Sequence, residues 1–153
     1  MENCEFCNLT AEDEKYLLYL NDYWKVYLSD EQDYIGRCII VSVVHYESLS
    51  DLQLSEWISL KEIINLLETA LKESLDATMF NWSCLMNNSY KSANPAPHVH
   101  FHFRPRYKNP IKINGYEIND NEFARHYSRG NCVMIDEETQ NIICQMLKKV
   151  INS

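Results

Sequence analysis

The stretch HVHFHFRPRY, residues 98–107, alternates between two kinds of side chain. Along an extended strand successive side chains point to opposite faces, so His98, His100 and His102, with Arg104 next in line, share one face while Val99, Phe101 and Phe103 share the other. The apolar set is expected in a core and the imidazoles on a surface. Same-face residues two apart stand about 6.5–7 Å from each other, close enough for neighbouring rings to reach different oxygens of one phosphate group. Three imidazoles at that spacing discourage one another's protonation, and with an ordinary pKa of about 6.5 most are neutral at pH 7. A neutral imidazole serves as a nucleophile or as a metal ligand. A lone histidine on a strand is usually a packing or surface residue; three in strict alternation between apolar residues point to a site. Arg104 reads two ways, as a basic residue gripping an anionic substrate or as a solvated arginine at a strand end.

Working back from this strand, Pro95 and Pro97 stiffen the loop before it, and FNWSCLMNN (80–88) reads as another strand. From Leu54 onwards Trp57, Leu60, Ile64, Leu67 and Leu71 recur at spacings of three and four, with Lys61, Glu62, Glu68 and Lys72 off that stripe, which predicts a long helix over 54–75. RCIIVSVV, after Gly36, has the length and β-branched content of a buried strand ending near His45. YLLYLNDYWKVYLSD predicts a hairpin over 16–29, turning at Asn21-Asp22. Beyond the histidine strand, residues 105–135 show only a faint helical turn near NEFARHY, and the segment is longer than an idle connection usually runs. We read it as functional or as a subunit contact. A last helix is expected over 137–151, with Asp136 as N-cap, Glu137 and Glu138 in the first turn, Lys148 and Lys149 in the last, and Ile142, Ile143, Met146, Leu147 and Val150 on its apolar side. The fold class is α+β: an antiparallel sheet with a long helix and a C-terminal helix. Arg106, Lys108 and Lys112 make the region after the triad the most basic stretch of the chain, modest support for an anionic ligand.

At 153 residues one domain spanning 1–153 is the economical reading. The formal charge of −8, with 22 acidic against 14 basic residues, disfavours a nucleic-acid binder. No run approaches the roughly 20 apolar residues of a membrane span, and MENCEFCNLT carries an acidic residue and no apolar run, so no leader and no membrane are expected and the location reads as cytoplasmic. Six cysteines, unevenly spaced, do not make a disulfide framework. Cys38, Cys84, Cys132 and Cys144 sit among apolar residues as small core side chains. Cys4 and Cys7 form Cys-x-x-Cys, whose thiolates suit half of a tetrahedral zinc site. A redox pair and two idle cysteines are the competing readings.

With CEFC (4–7), GRCIIVSVVHYESLSDL (36–52) and HVHFHFRPRY together, the sequence resembles the histidine triad family, whose signature is three histidines alternating with apolar residues. The resemblance runs over nearly the whole chain, and IKINGYEINDNEFARHYSR is similar to an extension of one prokaryotic branch of that family. It implies a homodimeric α+β fold, and hydrolysis or transfer at the α-phosphorus of dinucleoside polyphosphates or nucleoside phosphoramidates. By position, His100 would be the nucleophile that forms a nucleotidyl-histidine intermediate, His102 would contact the phosphate and leaving group, and His98 would support the site. Asn87 falls where the family places an amide near the phosphate. Members that keep the N-terminal cysteine pair complete a structural zinc site with the residues corresponding here to His45 and His98, so the implied ligands are Cys4, Cys7, His45 and His98.

Two positions depart from the family pattern. Where many members carry a fourth histidine in Pro-Gly-His, this chain has Ile35-Gly36-Arg37. Arg37 cannot transfer a proton at neutral pH but can pair with a phosphate or a carboxylate. Ser29 stands where an Asp or Asn often meets the ribose, with Asp30 adjacent. His126, a lone histidine, reads as surface. Besides a nucleotide hydrolase or transferase, two other functions remain open: a nucleotide-binding regulatory module with little turnover, and a catalytic metal held by His98, His100 and His102.

Overall fold

The structure is a computed structural model, which describes residues 3–128 and 133–153; Cys132 lies outside them. The hairpin forms as β1 (Leu17–Leu20) and β2 (Trp24–Leu28). Its turn is closed by Asn21, whose side-chain oxygen accepts from the backbone N–H groups of Tyr23 and Trp24, both at 2.9 Å. β3 covers Cys38–Ser42, β4 Met79–Ser83 and β5 His100–Arg106, and the five strands lie antiparallel in the order β1-β2-β3-β5-β4.

α1 (Leu54–Leu75) has the expected limits, with Leu60, Ile63, Leu67, Ala70 and Leu71 buried. The core-facing stripe is displaced from the one read in the sequence: Ile63 is buried, whereas Trp57 is 40% exposed. In the first turn Glu56 rather than Trp57 faces inward, its carboxylate accepting from the Gln53 N–H at 2.6 Å and its carbonyl from the Trp24 indole at 3.0 Å. Gly36 is required where α1 meets the start of β3: its φ is +83° and a Cβ there would stand 2.3 Å from a Leu71 methyl. β3 stops at Ser42 rather than near His45, leaving Val43 and Val44 exposed.

α2 (Glu137–Ile151) starts where expected, its Asp136 cap accepting from the Thr139 N–H at 2.8 Å. Ile143, Cys144, Leu147 and Ile151 are its buried residues, while Ile142, Met146 and Val150 are only partly buried. Cys38 joins Cys144 in the core, and Cys84 is half-buried. The described residues between 105 and 128 hold more regular structure than their composition suggested. β6 (Ile111–Ile113) and β7 (Tyr116–Ile118) form a second hairpin around Asn114 and Gly115, with φ of 44° and 80°. Asn-Gly between alternating apolar residues is the usual signal for such a turn, and it stood in the sequence.

Arg106 anchors the chain that follows. It is fully buried, and each N–H of its guanidinium has an acceptor: the Asp120 carboxylate at 2.7 and 3.0 Å, the Asn81 amide oxygen, and the carbonyls of Glu122 and Arg125. It is therefore not a ligand-facing cation, as the basic stretch had suggested. It ties residues 119–127 to β4 and β5. No helix among the described residues is long and apolar enough to cross a membrane.

Candidate active site

β5 lies between β3 and β4, with His100 opposite Val41, His102 opposite Ile39 and Ser83, and Phe103 opposite Cys38 and Trp82. Val99 and Phe103 are buried in the core, and the three histidines, on the other face, line a cavity of about 450 Å³. Alternation thus divides the triad from the core as the sequence implied. The cavity wall also includes Ser29, Asp30, Glu31, Arg37 and Phe6.

Each ring has a distinct set of partners. His100 Nδ1 lies 2.7 Å from the His98 carbonyl, which can only accept, so Nδ1 carries the proton and Nε2 holds a free pair. His102 Nε2 lies 3.2 Å from His100 Nε2 and 3.4 Å from the Leu85 carbonyl, so its N–H is shared between two acceptors. His98 Nε2 donates to the Ser42 carbonyl at 2.8 Å, which leaves its Nδ1 unprotonated. Burial lowers the pKa of all three. For His102, burial is joined by the neighbouring His100, with which it would share positive charge on protonation, and by the Arg104 and Arg37 guanidiniums, and its pKa falls to about 4. A pair of neutral imidazoles, one with its lone pair oriented by a backbone carbonyl, is equipped for nucleophilic attack.

The second cluster adjoins the first. His98 Nδ1 faces Cys4 Sγ at 3.2 Å and Cys7 Sγ at 3.6 Å, and His45 Nδ1 faces Cys7 Sγ at 3.4 Å. All four ligand atoms lie within 4.8 Å of one another. Bond lengths of about 2.0–2.3 Å in a tetrahedron place neighbouring ligand atoms roughly 3.5 Å apart, so this donor set could hold a metal ion. The His98 ring is already in the tautomer that offers Nδ1, fixed by the Ser42 carbonyl. Phe6, carried between the two cysteines, packs against His100 with ring centroids 4.6 Å apart.

The remaining expected residues surround His102. Arg37 and Arg104, both buried, converge on Asp33: Arg37 Nη1 at 3.1 Å and Arg104 Nε at 3.2 Å. Arg104 shares the triad's face but is neither a solvated strand end nor free, since its guanidinium also lies 4.5 Å from the centre of the Tyr127 ring. A smaller cavity, about 250 Å³, is lined by Arg37, Arg104, Asp33, Asn87, His102 and Tyr127. Ser29 lines the larger cavity but is only 5% exposed, with its N–H and carbonyl tied to Arg37 and Gln32; the exposed Asp30 lies beside it. His126 is exposed, as read. Asp33 and Tyr127 were missed. Asp33 stands four residues before Arg37, a spacing that could have signalled the pair; Tyr127 carried no signal, being brought in by the Arg106 anchor.

This architecture has known counterparts. The chain is similar to a hypothetical histidine triad nucleotide-binding protein from Sulfolobus tokodaii strain7, with a TM-score of 0.65 at 13% identity over 90% of this chain and 83% of that one. The fold is that of the histidine triad proteins. A diadenosine triphosphate hydrolase of Plasmodium falciparum matches this histidine triad fold at a TM-score of 0.61 and 15% identity, over 92% of this chain and 78% of that one. A zinc-bound histidine triad family protein from Mycobacterium smegmatis does so at 0.56 and 12%, over 90% and 84%. No family model and no curated protein matches the sequence.

Proposed function

We propose that the chain is a nucleotide hydrolase or nucleotidyltransferase that cleaves at the α-phosphorus through a nucleotidyl-histidine intermediate on His100. The observation that carries this reading is the 2.7 Å bond from His100 Nδ1 to the His98 carbonyl, which leaves Nε2 as a lone pair beside a cavity of about 450 Å³. In the first step Nε2 bonds to phosphorus as the bond from phosphorus to the bridging atom breaks, the electron pair leaving with the departing group. In the second, water attacks phosphorus, the phosphorus–nitrogen pair returns to Nε2, and the water proton passes to solvent. Another nucleophile in place of water makes the same intermediate a transferase. His102 turns its N–H from His100 to a phosphoryl oxygen, and Asn87 adds an amide on the same side. Ser29 and Asp30, on the wall of the larger cavity, are the residues this reading assigns to the ribose. The test is turnover of dinucleoside polyphosphates with a nucleotidyl adduct on the protein; a native protein that yields neither overturns the reading.

The cysteine–histidine cluster belongs to the same reading as a structural zinc site with four protein ligands, Cys4, Cys7, His45 and His98. Zinc there supplies a rigid tie and no open position for substrate. His98 is its link to the chemistry, since the His98 carbonyl orients His100. Protein purified without added metal is expected to contain one zinc per chain by elemental analysis, and Cys4→Ser to lose it with a lower melting temperature. Native protein free of zinc contradicts the assignment.

A homodimer in the cytoplasm completes the proposal. Leu54, Trp57 and Ile58 on the first turns of α1, with Val43 and Val44 after β3, leave apolar area exposed that a second copy would cover. Light scattering at micromolar concentration is expected to report twice the chain mass; a monomer counts against it.

A further inference from the structure

The bond from His100 Nδ1 to the His98 carbonyl fixes one atom of the imidazole. A single hydrogen bond leaves the ring free to tilt about that contact, because the outer torsion of a histidine side chain has only broad preferences. The aim of Nε2 therefore depends on what the ring packs against. Two rings flank it. His102 meets it nearly edge-on, at 81° with centroids 4.8 Å apart, and belongs to the same strand. Phe6 comes from the other end of the chain. Its ring lies 4.6 Å from the His100 ring at an inclination of 44°, and 5.7 Å from the His98 ring at 71°, so it spans both histidines joined by the hydrogen bond.

Phe6 has little freedom of its own. It is the middle residue of a single 3-10 turn, Glu5–Cys7, closed by the Asn8 N–H on the Glu5 carbonyl at 3.1 Å and by the Asn8 amide on the Cys4 carbonyl at 2.7 Å. On either side of it, Cys4 and Cys7 turn toward His98 and His45. The turn is thus fastened to the sheet at both ends, and Phe6 lines the larger cavity beside the triad. We propose that Phe6 is a positioning residue for the nucleophile: its ring is the wall against which His100 is held with Nε2 aimed into the cavity, and the cysteine–histidine cluster keeps that wall in place. This rests on the reading of His100 as nucleophile. A residue that acts through His100 changes the rate of the step at phosphorus and leaves nucleotide affinity alone, which separates this role from that of a wall for the nucleotide. An aromatic contact favours one orientation roughly 3- to 10-fold, and a small misplacement of an attacking atom costs up to about 100-fold.

Phe6→Leu removes the ring and keeps an apolar side chain; Phe6→Tyr keeps the ring. In Phe6→Leu, kcat for diadenosine tetraphosphate is expected to fall roughly 10- to 100-fold with KM within about twofold of native. Phe6→Tyr is expected to stay within about threefold of native in both, since the aromatic contact is retained. Adenosine monophosphate, followed by titration calorimetry, is expected to bind all three proteins alike, and elemental analysis to find the same zinc content in them. Long-range nitrogen–proton NMR spectra of the histidine rings need no turnover. Native protein and Phe6→Tyr are expected to show His100 as one tautomer with its proton on Nδ1, and Phe6→Leu a mixture of the two. A higher KM with kcat unchanged in Phe6→Leu makes Phe6 a wall of the nucleotide pocket and overturns the proposal. So does a native tautomer pattern in that variant, or a loss of rate that comes with a loss of zinc. The two readings fail separately. Mixed tautomers in Phe6→Leu with no nucleotidyl adduct on native protein overturn the His100 chemistry alone, and an adduct whose rate is indifferent to Phe6→Leu overturns the role of Phe6 alone.

Discussion

Replacing His100 by asparagine is expected to abolish the covalent nucleotidyl adduct and to lower turnover by roughly three or more orders of magnitude, the scale on which loss of a nucleophile is felt. The amide occupies similar space and keeps a donor toward the His98 carbonyl, so nucleotide binding is expected to stay nearly intact. Rapid quenching under mildly alkaline conditions preserves phosphorus–nitrogen bonds and is expected to trap native protein heavier by one nucleoside monophosphate, with the added mass on the peptide that holds His100. His102→Asn is expected to slow the reaction less, because His102 contributes a hydrogen bond and not the new bond to phosphorus. Wild-type turnover in His100→Asn, or an adduct on another histidine, defeats the mechanism. Tight nucleotide binding with no turnover by the native protein moves the assignment to a binding module.

Arg106→Met is expected to cost about 3–5 kcal/mol of stability, the range seen when one partner of a buried ion pair is removed. The methionine replaces the stem but none of the donors. Asp120, whose side chain is 2% exposed, is left as a buried charge, and the carbonyls of Glu122 and Arg125 lose their partner. The loss is expected to appear as a lower urea midpoint with little change in slope. Arg106→Met combined with Asp120→Leu is expected to recover a large part of it, since exchanging both members of a buried pair for apolar groups is often neutral. A loss under about 1 kcal/mol, small for a buried ion pair, shows that Arg106 is not the anchor of residues 119–127. The same variant is expected to loosen Tyr127 over Arg104, because Arg106 holds the segment that carries it at Asp120, Glu122 and Arg125.

The triad's face was legible in the sequence because strand geometry is strictly periodic: once Val99 and Phe103 are apolar, His98, His100 and His102 have no choice of side. The limits of α1 and α2 were legible for a related reason, as a stripe of period 3.6 and the Asp136 cap are local signals. The β6–β7 hairpin was equally local, announced by Asn114-Gly115, and was overlooked. What spacing along the chain could not supply was any relation between distant elements; the grouping of Cys4 and Cys7 with His45 and His98 came from the family resemblance alone. Cys4 meets His98 only when the N-terminus folds back beside β5, and spacing along the chain carries no information on that approach. Asp33 becomes the shared partner of Arg37 and Arg104 only because the loop before β3 crosses the β5 end of the sheet. The orientation of His100 depends on one ring nitrogen meeting one carbonyl at 2.7 Å. Residue order determined which side chains could share a face; tertiary packing decided their partners, because hydrogen bonds, ion pairs and metal ligation depend on distances of a few ångströms that local propensity does not set.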